Sequence, residues 1–278
     1  TTEIYTLSLH DALPISRTGR LWVYARDDRP WGGTDPPAAV YYYSPDRRAE
    51  RPAAHLKDFK GILQVMPEAC FQHDGYAGFE QLTAGGTIAL AACWAHTRRK
   101  FYEVHQTTGS PIAEEALRRI GALYTIEQSI RGKPPEERQR VRNVRSRRLI
   151  DAMRPWLERQ LRRVPARSGL AEGIRYALAR WDALCRFLDD GRIELDTNTV
   201  ERAIRPITLG RKNHLFAGSD GGADRWAAIA TLITTAKLND VEPYAYLKDV
   251  LERMAGGHPM ARLDDLLPWN WKASAASA

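Results

Sequence analysis

This sequence predicts an α/β fold, with a sheet of mixed direction interrupted by a helical module and followed by further helices. Three observations carry that expectation. β-Branched and aromatic runs alternate with helical stretches over the first hundred residues, residues 111–190 show only helical spacing, and the chain then returns to helices, one of them poor in charge.

The elements follow in order. "GRLWVYARDD" and "AAVYYYSPD" read as strands joined through the Gly/Pro turn region "RPWGGTDPP", a hairpin or meander. "AAHLKDFKG" reads as a short helix closed by Gly61, and "GILQV" and "TIALAACWAH" as compact apolar strands, the second entering the helix "TRRKFYEVHQ". Helical spacing then places Ile112, Leu117, Ile120, Leu123 and Ile126 together, up to the break at Pro134 and Pro135. A second helix carries Val144, Leu149, Met153, Trp156, Leu157 and Leu161. A third runs from Ser168 with Leu170, Ile174, Trp181, Leu184 and Leu188. "DRWAAIATLITTAKLN" is a helix expected to pack on the sheet, "YAYLKDVLERMAGG" is another, and "LDDLLPWNWK" begins the tail. Residues 1–16, "TTEIYTLSLHDALPIS", do not fit this pattern; they look like translated sequencing-adapter read-through and are set aside as a non-native extension.

At 278 residues, 44% hydrophobic and 27% charged, the chain reads as globular. No apolar run reaches membrane-spanning length and no basic-then-apolar leader is present, so no membrane partner and a cytoplasmic location are expected. Cys70, Cys93 and Cys185 have no C-x-x-C spacing, which argues against a disulfide framework or a zinc knuckle. The net charge of +7 suggests an anionic partner. Its distribution says more: residues 131–170 hold 13 Arg and Lys against 4 acids. Such a segment would attract a polyanion, or it is simply a solvated arginine-rich face.

Two carboxylates stand out by context. Asp74, in "QHDGYAGF", follows the strand "GILQV", and Glu201 falls in the first turns of a helix beyond the helical module. Hard oxygen ligands of this kind hold Mg²⁺ or Mn²⁺ in metal-assisted phosphoryl transfer. The residues alone leave other readings open. Asp74 also reads as a turn aspartate, and Asn198-x-x-Glu201 with Arg205 also reads as a capping-box variant with an i,i+4 pair. Arg98, Arg99 and Lys100 open a helix after a strand, where cations and backbone N–H groups meet phosphates. Arg202, Arg205, Arg211 and Lys212 surround Glu201 and its following loop. His96 reads as a semi-buried histidine and Cys93 as a small core residue. "GSDGGADR" lacks the full phosphate-loop pattern.

Together these segments resemble the transposase of insertion-sequence family sixty-six, a member of the DDE transposase group. The motifs are "TGRLWVYARDDRPWGG", "PAAHLKDFKGILQV", "DGYAGFEQL", "CWAHTRRKF" and above all "DTNTVERAIRPITLGRKNHLFAGSDGGADRWAAIATLI". "YLKDVLERMAGGHPMARLDDLLPWNWK" resembles that family's C-terminal segment.

The resemblance implies a ribonuclease-H-like catalytic domain in two parts, residues 17–110 and 191–240. The helical insertion would be 111–190, and 241–278 a C-terminal helical segment and tail. It implies Mg²⁺- or Mn²⁺-dependent DNA cleavage and strand transfer, with transposon ends and target DNA as partners and a homo-oligomer on DNA. By motif, Asp74 is the second catalytic acid and Glu201 the third, both metal ligands. Arg98, Arg99, Lys100, Arg202, Arg205, Arg211 and Lys212 are the candidate DNA contacts.

The family's first acid sits on a strand preceding "TGRLW", which this sequence is expected to lack; Asp11, Asp27 and Asp28 do not replace it. Residues 66–73, "MPEACFQH", also intervene before Asp74. The expectation is therefore a truncated fragment with little or no strand-transfer activity. The alternative is a non-catalytic DNA-binding protein that uses the basic helical module.

Overall fold

The computed structural model describes residues 2–8, 19–65, 82–83, 85–210 and 217–271. Its elements run β1 (Thr2–Ser8), β2 (Arg20–Arg26), β3 (Ala38–Ser44), α1 (Glu50–His55), β4 (Gly61–Val65) and β5 (Ile88–Ala92). The helices α2 (Trp94–Thr108), α3 (Pro111–Ser129), α4 (Pro135–Val141), α5 (Arg147–Leu161), α6 (Gly169–Ala179) and α7 (Trp181–Cys185) follow. Last come α8 (Asn198–Gly210), α9 (Asp220–Leu238) and α10 (Pro243–Ala255). The chain divides into two compact units. One comprises Thr1–Ile4, Asp28–Thr34 and Pro52–Asn198, the other Tyr5–Asp27, Asp35–Arg51 and Thr199–Ala278.

The first unit combines parallel strand pairs with the helical module. The first residues of β1 pair in parallel with β4, Thr2 opposite Leu63 and Ile4 opposite Val65. β4 pairs in parallel with β5, Gly61 opposite Ile88 through Val65 opposite Ala92. Both strands read as nearly continuous apolar runs, as parallel strands covered on both faces do. The segment set aside in the sequence reading thus supplies a strand, hydrogen-bonded where the sequence reading expected none.

Helix caps in this unit are the ones physical chemistry favours. Ser110 accepts from the Ala113 N–H with Pro111 in the first turn, and Ser168 accepts from the Ala171 N–H. The core gathers Phe101, Ile120, Leu123, Ile150, Met153, Leu157, Ile174 and Leu184. Of the predicted apolar positions, Ile112, Leu117, Leu149, Trp156 and Leu161 are partly buried against it. Val144 is 54% exposed. At about 100° per residue Val144 stands about 180° from Met153 and about 120° from Ile150, so it falls off the buried face; a single π-turn, Arg142–Ser146, lies between α4 and α5. Pro155 sits within α5 on its exposed side, so the Asp151 carbonyl it deprives of a partner meets water.

The second unit is built on a hairpin. β2 and β3 pair antiparallel from Arg20 opposite Ser44 to Arg26 opposite Ala38, as the β-branched and aromatic runs and the Gly/Pro turn predict. Trp22 is fully buried and donates its indole N–H to Ser44 Oγ at 2.8 Å.

Helix α9 packs on β3 through its polar side chains. Thr235 Oγ1 accepts from the Ala39 N–H (3.2 Å) and donates to its carbonyl (2.9 Å), and Thr231 Oγ1 accepts from the Tyr41 N–H (2.9 Å). Asn239 donates to the Pro37 carbonyl at 2.8 Å. Four helical residues rise about 6 Å and two strand residues about 6.6 Å, so steps of four on α9 keep register with steps of two on β3. These hydroxyls occupy backbone groups of β3 that would otherwise need another partner.

The C-terminal segment has its own small core. Ala236, Tyr246, Val250 and Leu266 are buried together, with Trp271 edge-on to Tyr246 at 5.7 Å.

Candidate active site

Glu201 lies in the first turn of α8 and is half-buried. The loop leading into this helix is bound at successive points within the first unit. Gln64 Nε2, on the buried strand β4, donates to the Glu194 carbonyl at 3.0 Å. The first N–H of α2, that of Trp94, donates to the Leu195 carbonyl at 2.9 Å. The Asn198 N–H donates to Asp196 Oδ1 at 3.2 Å. Asp196, not Asn198, therefore supplies the carboxylate that satisfies an N–H at the helix start, which corrects the capping-box reading.

The strongest hold on this loop is an arginine of the helical module. Arg142, on the π-turn, is completely buried and uses all five of its N–H donors. Its Nε and Nη2 meet Glu127 Oε1 and Oε2 at 2.8 and 2.6 Å. Its Nη1 donates to the carbonyls of Phe187 (2.9 Å) and Asp190 (3.1 Å), and Nη2 also donates to that of Ile193 (2.8 Å). Arg138, one turn earlier and 1% exposed, pairs with Glu194 Oε1 at 2.5 Å. Two of the thirteen cations of the basic segment are thus internal.

Sequence reasoning missed both arginines. The signal was present: Arg138, Arg142 and Ser146 continue backwards, at steps of four, the stripe of Ile150, Met153 and Leu157. Gly191 belongs to the same arrangement, since a Cβ there would lie 1.9 Å from the Pro135 carbonyl oxygen.

Within the second unit, α8 buries Val200, Ala203, Ile204 and Ile207. Tyr41 donates its phenolic O–H to the Ala203 carbonyl at 2.7 Å and lies 3.0 Å from Thr234 Oγ1. Burial pushes the Tyr41 hydroxyl up to about 12, so it remains a donor across the ordinary pH range. Arg202 and Arg205 project from the exposed side of α8, and neither forms an ion pair with a described residue. The i,i+4 pair expected between Glu201 and Arg205 is therefore not formed.

The other predicted contacts divide. Arg98 and Arg99 are exposed on α2, Arg98 over the Tyr102 ring at 5.8 Å. Lys100 pairs with Glu172 at 3.2 Å and lies 5.8 Å from the centre of the Tyr176 ring. Because α2 starts at Trp94, these three cations fall in its second turn and not at its opening, where the Trp94 N–H is already bonded to the Leu195 carbonyl. His96 is buried, more deeply than the semi-buried position expected. Cys93 has no exposed surface, and burial pushes its thiol up to about 12, which suits a core residue and not a nucleophile. Asp11, Asp74, Arg211 and Lys212 lie outside the described residues.

Comparison with known proteins places this arrangement in a class. Residues 12–225 match the family model described as "Transposase IS66 family", and residues 231–269 match the "IS66 C-terminal element". The chain belongs to the IS66 transposase family. Two proteins of Sinorhizobium fredii, the uncharacterized proteins y4hP and y4qI, are 46% and 45% identical over 94% and 92% of this chain. The chain spans about half the length of these relatives, 48% and 47%. No solved structure matches. Among the described residues, no helix is long and apolar enough to cross a membrane.

Proposed function

We propose that this chain is the catalytic segment of a DDE transposase with a ribonuclease-H-like fold, a segment that binds transposon-end and target DNA as a homo-oligomer. The observation that carries the reading is the motif "DTNTVERAIRPITLGRKNHLFAGSDGG", inside the family match, which puts Glu201 at the start of a helix whose entry loop is bound by buried partners. The parallel pairings of β1 with β4 and β4 with β5, and the antiparallel β2–β3 hairpin, support the fold assignment.

In this reading Asp74 and Glu201 hold a divalent cation, Mg²⁺ or Mn²⁺. The donor chemistry fits: carboxylate oxygens are the ligands hard cations prefer. Bound there, the metal would supply charge stabilisation at the reacting phosphate. The chain's own residues do the rest. Glu201 presents an oxygen from a rigid helix start, and Arg202 and Arg205, exposed on the same helix, meet phosphate oxygens. Arg98 and Arg99 add contacts on α2.

Strand transfer by this chain is expected near background, because β1 reads TEIYTLS and carries no aspartate to act as the first acid. The test is titration of Mn²⁺ into the purified chain, with cleavage of transposon-end DNA followed in parallel. The expected result is metal binding that Glu201→Gln and Asp74→Asn each weaken about tenfold or more, with little cleavage. Metal binding indifferent to both substitutions would overturn the site. Robust Mg²⁺-dependent cleavage lost in Glu201→Gln would overturn the low-activity reading.

A further inference from the structure

We propose that the outer face of α5 is a docking surface for the phosphate backbone of duplex DNA, separate from the metal site. It takes from the preceding reading only that DNA is the ligand. Arg148, Arg159 and Arg162 recur on the side of α5 opposite the buried Ile150, Met153 and Leu157, and all three are exposed. Arg145, exposed on the π-turn, extends the face at its start, and Arg163 and Arg167 extend it at its end. None of these six forms an ion pair or hydrogen bond through its side chain with a described residue. Asp151 is exposed at the edge of the stripe.

Their neighbours behave differently. Arg118 and Arg119 share Glu115, Arg154 pairs with Glu158, and Arg142 and Arg138 are internal. Several surface arginines elsewhere on this module are thus paired with acids, whereas this face keeps its charge.

The spacing selects the partner. Arg145 and Arg148 form one cluster and Arg159 and Arg162 another, and eleven residues from Arg148 to Arg159 rise about 16 Å along the helix. Between them the face is small and uncharged, Ala152 and Pro155. Two cationic ends around a low middle fit a helix laid across a groove about 12 Å wide, with the arginines reaching phosphates on both walls. An anionic membrane suits the face less, because the apolar side of α5 is spent in the core and offers nothing to insert.

The test is binding of a 30-base-pair duplex by fluorescence anisotropy across a salt series, without divalent metal. The full chain is compared with Arg145→Gln/Arg148→Gln/Arg159→Gln/Arg162→Gln and with each half of that set. Four lost phosphate contacts should lower the slope of log K against log salt by about 3 to 4, each half by about 2, with an unchanged melting temperature. A wild-type slope in the fourfold variant would overturn the proposal, as would retention on anionic vesicles with no duplex affinity. If the fourfold variant misfolds, the two halves decide. Duplex binding is read here without divalent metal, and metal binding in the earlier titration without DNA, so failure of the metal site and failure of this surface are read separately.

Discussion

Arg142 and Glu127 form a two-bonded ion pair, Nε to Oε1 at 2.8 Å and Nη2 to Oε2 at 2.6 Å, around a guanidinium with no exposed surface. Through the carbonyls of Phe187, Asp190 and Ile193, Arg142 also ties the helical module to the segment that leads into the Glu201 helix. Breaking this pair from one side leaves a buried charge without compensation. Arg142→Met and Glu127→Leu should each cost about 3–5 kcal/mol in urea unfolding, with the double variant recovering part of the loss. A cost under about 1 kcal/mol for either would contradict the role assigned to it.

Two glycines should respond in opposite directions. Gly191→Ala drives a methyl into the Pro135 carbonyl oxygen, 1.9 Å from the ideal Cβ position, and should lower stability by more than about 2 kcal/mol. Gly121 lies inside α3 with nothing within 4 Å of its Cβ position, so Gly121→Ala should raise stability by up to about 1 kcal/mol. Thermal melts of the two variants settle both signs.

The phenol of Tyr41 makes the second unit sensitive to alkali. Burial raises its ionisation to about 12, against 10 in the unfolded chain, so its contribution is complete below pH 10 and disappears as pH rises through 12. Unfolding followed between pH 9 and 12.5 should show this loss. Tyr41→Phe should flatten that part of the profile and cost about 1 kcal/mol at neutral pH through the lost bond to the Ala203 carbonyl.

Cys93 and Cys185 should resist thiol reagents in the native state. Burial pushes both thiols up to about 12, the acids Asp182 and Asp189 adding to the effect at Cys185. Labelling at pH 8, read by peptide mass spectrometry, should leave both unmodified until denaturant is added. Rapid native labelling of Cys93 would show that the start of α2 opens.

Much of the fold was legible because it rests on local rules. β-Branched and aromatic runs about a Gly/Pro turn predicted the β2–β3 hairpin, helical spacing predicted Ile120, Leu123 and Ile126 on one buried face, and Ser168 marked a helix start. The helix predicted to pack on the sheet does pack on β3, but through Thr231 and Thr235, whose hydroxyls serve the strand backbone. The misses were of another kind. Val144 looked like one of the apolar residues that follow it although it stands about 180° round the helix from Met153, and Asn198 looked like a cap because Glu201 stands three residues later.

By itself, the sequence determined the order of strands and helices from residue 19 onward, the apolar faces and the family motif that contains Glu201, since periodicity, turn chemistry and motif identity are properties of neighbouring residues. Which arginines face inward was decided only by the tertiary structure. A guanidinium is cheap to bury when a carboxylate and several carbonyls converge on it and costly otherwise, and those partners for Arg142 come from residues 127, 187, 190 and 193. A run of thirteen like cations therefore separated into an internal pair that holds the loop before α8 and an outer set still free to meet a polyanion.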